Sequence, residues 1–111
     1  MSLPKASRIP PPDVPPIEHR GIRYEQEMQG VRHGLDQSTG YLVAIDPATN
    51  ERLWVLKVYE TGNVPGLEQD VQRRYFKRME LIEGRDALQI ENETGQRFIV
   101  DLAQRTSSPA P

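Results

Sequence analysis

The chain has 111 residues, 14 basic and 16 acidic side chains, a net charge of −2 and no cysteine. That length supports one domain, the near-neutral balance offers no overall attraction to nucleic acid or an anionic membrane, and the absence of thiols excludes disulfides and cysteine-ligated zinc or iron–sulfur centres. No window approaches the ~18 apolar residues of a membrane span and no signal-peptide core is visible. A cytoplasmic protein is the expectation.

Residues 1–16, MSLPKASRIPPPDVPP, have a composition that favours polyproline II and buries little apolar surface, so they read as a disordered proline-rich arm. The Pro-x-x-Pro match at Pro12 and Pro15 suits an SH3-type ligand, although Arg8 is poorly placed as its basic anchor. A single β domain is expected over 17–104, with a loose polar tail over 105–111. Ile22-Arg23-Tyr24-Glu25 alternates, which places a first strand over about Gly21 to Met28. Gly34 to Gly40 is a loop by composition.

The central stretch is YLVAIDPATNERLWVLKVYE, Tyr41 to Glu60. Its two apolar runs read as strands covered on both faces, and Asp46-Pro47-Ala48-Thr49-Asn50 supplies an Asx-type start, a proline with φ already set and an asparagine that tolerates left-handed backbone. Strict alternation would put Trp54, Leu56 and Val58 on one face and Leu53, Val55 and Tyr59 on the other, and Lys57 then needs a partner or a path to water. Thr61 to Gly66 breaks the sheet. Leu67 to Gln72 reads as a short helical segment that runs into a strand from about Tyr75 to Ile82. Turns at Glu83 to Asp86 and Asn92 to Gly95 then separate strands over Ala87 to Glu91 and Arg97 to Leu102, the last with Phe98, Val100 and Leu102 on one face. The expected fold is therefore mainly β, a small antiparallel sheet of five or six strands in meanders and hairpins with one short helical segment. Thr49-Asn50-Glu51-Arg52-Leu53 and Thr94-Gly95-Gln96-Arg97-Phe98 share one order of residue types, which suggests two hairpins built on the same turn.

Ala44, Asp46, Thr49 and Trp54 stand at the spacing Ala-x-Asp-x-x-Thr-Gly-x-x-x-Trp, with Asn50 at the glycine position. This resembles the blade repeat of pyrroloquinoline-quinone-type β-propellers, in which the tryptophan packs between neighbouring four-stranded blades. The likeness spans about eleven residues and one motif, where a propeller needs about four blades or more. It implies blade-like local structure and not the quinone cofactor.

Candidate sites are sparse. Arg73, Arg74, Lys77 and Arg78 surround Tyr75 and Phe76, a mixture that can grip nucleic acid through phosphates and bases, yet strand alternation would split it between two faces, and charges on a strand also deter edge aggregation. His19 and His33 lack a second ligand nearby in sequence, Glu25 with Glu27 and Glu91 with Glu93 read as solvated pairs, and Ser38, Ser107 and Ser108 lack the setting of a nucleophile. No catalytic residue, metal or cofactor is expected. The reading is a non-catalytic binding or assembly module, pairing with a protein partner or itself, with Trp54 or the Phe98 face as anchor. The alternative is an anion- or nucleic-acid-binding protein acting through Arg74 and Arg78.

Overall fold

The computed structural model describes residues 13–61 and 74–110. Eight strands form two four-stranded antiparallel sheets, each a plain meander. The first holds β1 (Ile17–His19), β2 (Ile22–Glu27), β3 (Tyr41–Asp46) and β4 (Glu51–Lys57); the second holds β5 (Phe76–Leu81), β6 (Ala87–Asn92), β7 (Arg97–Asp101) and β8 (Thr106–Pro109). One hydrophobic cluster joins them, with Tyr24, Leu42 and Ala44 from the first sheet and Phe76, Leu88, Ile90 and Val100 from the second.

These findings correct the expected architecture. There are two sheets in place of one sheet of five or six strands, and among the described residues the only helical element is a short 3-10 turn at Gly30–His33. The helical segment expected at Leu67 to Gln72 lies outside the described residues. Thr106 onward, expected as a loose tail, forms β8 against β7. The propeller resemblance also fails, because neither sheet closes into a barrel or propeller, and the tryptophan packs on a tyrosine of its own sheet. What Ala44, Asp46, Thr49 and Trp54 encode is a hairpin.

That hairpin follows from its turn chemistry. Asp46 Oδ1 accepts from Ala48 N at 2.9 Å, Asp46 O accepts from Asn50 N at 2.7 Å, and Asn50 takes a φ of +61°. The similar sequence at Thr94-Gly95 also turns the chain, with Gly95 at φ +87°. The first turn joins the third and fourth strands of its sheet and the second joins the second and third, so the shared residues reflect turn chemistry and not a repeated unit. Buried Asn92 organises the second turn, its Oδ1 accepting from Thr94 N at 3.1 Å and Gln96 N at 3.0 Å while its Nδ2 donates to Gln96 Oε1 at 3.0 Å.

A β-bulge sets the faces of β4. Ala44 pairs with Trp54 but Ile45 pairs with Arg52, so Leu53 is the extra residue. Trp54 and Leu56 share the inner face with Leu42 and Ala44, Leu53 is left 47% exposed, and Arg52, past the bulge, joins the outer face. There Arg52 pairs with buried Glu27, whose other oxygen accepts from Gln29 N at 2.9 Å. Lys57 finds Asp36 at 2.6 Å and Glu60 at 3.0 Å. Side chains also tie the sheets together: Phe76 N donates to Gln26 Oε1 at 2.6 Å, and Ser107 Oγ donates to Val58 O at 2.8 Å.

Candidate functional site

Antiparallel meanders collect alternate turns at one end. The register puts the β1–β2 turn (Arg20 and Gly21) beside the β3–β4 turn, where the Arg23 guanidinium donates to Asn50 Oδ1 at 2.8 Å. In the second sheet the β5–β6 turn lies beside the β7–β8 turn, with Leu102 N donating to Asp86 O at 3.0 Å. His19 Nε2 meets Asp86 Oδ1 at 2.9 Å and joins the two pairs of turns across the gap between the sheets. Four turns thus frame one end of the molecule.

Trp54 stands at this end. Its ring centroid is 5.9 Å from that of Tyr24, tilted by 56°, and the Arg105 guanidinium lies 5.1 Å from the indole centroid. Such a cation over an indole face is attracted by the ring quadrupole and keeps its in-plane N–H groups available as donors. Tyr24 is buried and its phenol is held above the ordinary range, first by burial and then by the Asp86 charge, with Arg105 acting in the opposite sense. Trp54, Tyr24 and Arg105 thus form an aromatic and cationic cluster, and the His19–Asp86 pair stands close enough for the Asp86 charge to act on the Tyr24 phenol. His19 has its carboxylate partner 67 positions away in the chain, a separation that hides the pair from any reading of local sequence. Arg105 was equally hidden, since it falls in the stretch read as a tail.

The other expected site residues lie elsewhere. Phe98 is half-buried on β7 and stacks on Tyr59 at 5.2 Å, tilted by 22°; with Gly95, Gln96, Arg97, Pro109 and Ala110 it lines an open groove of about 380 Å³. The apolar face that Phe98 shares with Val100 packs against the first sheet. Arg74 is fixed through its backbone, its N donating to Thr39 Oγ1 at 2.9 Å and its carbonyl accepting from the Tyr59 hydroxyl. Arg73 lies outside the described residues. A bulge at Lys77, between Phe76 and Arg78, leaves both Lys77 and Arg78 exposed, while Tyr75 and Phe76 are buried. The basic segment is opposed by acids on the same face: Arg78 is 3.7 Å from Glu80, Lys77 is 4.0 Å from Glu91, and Arg97 is 3.8 Å from Glu91. The structure does not bring Trp54, Phe98, Arg74 and Arg78 into one site.

Among the described residues no group of three or more histidine and acidic side chains is placed to hold a metal ion, and no described helix is long and apolar enough to cross a membrane. No protein-family model, curated protein or solved structure matches the chain.

Proposed function

We propose that the chain is a binding module, without catalysis of its own, that meets its partner at the turn end of the two sheets. The observation that carries this reading is the Trp54 cluster with Tyr24 and Arg105. A half-buried indole held at a tilt against Tyr24 and roofed by an arginine places apolar surface beside oriented donors, the combination that small binding sites use for affinity and orientation together. The groups that could suggest acid–base chemistry have structural work. The His19–Asp86 pair links the sheets, and the Glu27 carboxylate is occupied by Arg52 and Gln29 N.

The reading is tested by screening the full-length, isotope-labelled chain against a panel of neutral, cationic and anionic small fragments and mapping backbone chemical shifts. The expected result is a set of perturbations around Ile22 to Tyr24, Trp54, Ile82 to Asp86 and Leu102 to Arg105. Perturbations confined to the Phe98 groove or to the face carrying Lys77 and Arg78 would sink it.

A further inference from the structure

Most cations among the described residues have a side-chain partner. Arg23, Arg52, Lys57, Lys77, Arg78 and Arg97 each lie within 4.0 Å of a carboxylate. Arg32 donates to the Gln29 side-chain amide at 2.9 Å. Arg20, Arg85 and Arg105 have no such partner among the described residues, and all three are exposed in the turns of the one end. Their turns meet at Asp86, which takes His19 on its side chain and Leu102 N on its carbonyl, so the turns that carry the three arginines share one hub.

The backbone supplies an independent sign. Arg20 has a φ of +52° and Arg105 a φ of +56°. Left-handed backbone is inexpensive for glycine and tolerable for asparagine, as at Asn50, but strained for a long side chain. Two arginines held where a smaller residue would fold better point to a use for the guanidinium. The acids nearby do not answer that use: Asp86 faces His19, Asp101 caps Gln104 N at 2.8 Å, Asp46 caps Ala48 N at 2.9 Å, and exposed Glu18, Glu51 and Glu83 lie outside ion-pair reach of the three arginines.

We infer that Arg20, Arg85 and Arg105 bind a multivalent anion of the phosphate class at the turn end. The inference rests on the reading of that end as the contact surface. Guanidinium forks recognise phosphate oxygens bidentately, and three forks arriving from three turns present more donors than one carboxylate can accept, whereas linked phosphates carry oxygens in several directions. With Arg105 already stacked on Trp54, ligand capture would alter the surroundings of the only tryptophan.

The experiment titrates the full chain with inorganic tripolyphosphate at low ionic strength, following Trp54 emission and heat. Saturable one-to-one binding is expected, weakened about tenfold by Arg105→Gly and about threefold by Arg20→Gly or Arg85→Ala, and falling steeply with added salt. Arg20→Gly should be at least as thermally stable as the parent, because it relieves left-handed backbone, and Arg105→Gly should melt close to the parent, the same relief offsetting the lost contact with Trp54, which separates lost binding from lost fold. A parallel titration with adenosine triphosphate asks whether the phosphate chain is free or part of a nucleotide. No saturation at millimolar tripolyphosphate, or binding unchanged in all three variants, overturns the inference. If neutral fragments still perturb Trp54 in that case, only the anionic class has failed; if they do not, the proposed contact surface fails with it.

Discussion

Gly40 has a φ of +93°, and a Cβ there would come within 2.7 Å of the Tyr59 carbonyl oxygen and 2.6 Å of Gln37 Nε2. The position is doubly restricted, by backbone hand and by space, because buried Gln37 donates from that same nitrogen to Thr39 O and Tyr59 O, each at 2.7 Å. Gly40→Ala is therefore expected to cost about 2–4 kcal/mol, measured by urea denaturation; a loss under about 1 kcal/mol would mean that the loop relaxes around the methyl group. Asp36 gives a pH signature in the same loop. Its carboxyl is held below the ordinary carboxylate range, first by the hydrogen bond from Lys57 and then by that from Tyr41. A carboxyl depressed in the folded state adds stability that is present above its unfolded value, ~3.9, and is lost as pH falls from there through the folded value. Thermal scans should accordingly show the parent losing its advantage over Asp36→Asn below about pH 4, and parallel profiles for the two proteins would refute the link.

At the scale of elements, the two bulges decide what each edge strand presents. Were Leu53 paired in regular alternation, Arg52 would fall on the inner face; with Leu53 bulged out of register, Arg52 reaches Glu27 while Trp54 stays opposite Ala44. The bulge at Lys77 likewise turns Lys77 and Arg78 toward solvent together. Both bulges sit on edge strands, where they also disturb the row of free backbone groups that would template another chain. The bulge at Leu53 thereby keeps the indole against Tyr24 and under the Arg105 guanidinium.

For the molecule as a whole, stability depends on both sheets keeping their inner faces covered. β8 is short, yet it covers the edge of β7 in the second sheet: it pairs with β7, its Ser107 hydroxyl reaches Val58 O, and Ala110 N donates to Arg97 O at 2.8 Å. Removing residues 106–111 strips a row of ladder bonds and uncovers one edge of β7. The expected loss is about 2–4 kcal/mol in urea titration. A change within about 0.5 kcal/mol, the range of an ordinary surface alteration, would instead be the behaviour of a loose tail. Because a single cluster spans both sheets, the parent should unfold in one transition.

Local chemistry determined a large part of this protein. Apolar runs, prolines and turn residues were enough to locate the strand of Ile22 to Glu27, the hairpin of β3 and β4, and the meander of β5 to β7, since each depends on neighbours a few residues apart. Tertiary structure decided the rest. β8 is a strand because β7 offers it an open edge, and nothing in the composition of Thr-Ser-Ser-Pro encodes that offer. The division into two sheets depends on which inner faces cover each other, a long-range pairing that periodicity cannot register. The turn end exists only when His19 reaches Asp86 and Arg105 reaches Trp54. Those contacts join residues far apart in the chain, and it is packing of one sheet on the other that brings them within range.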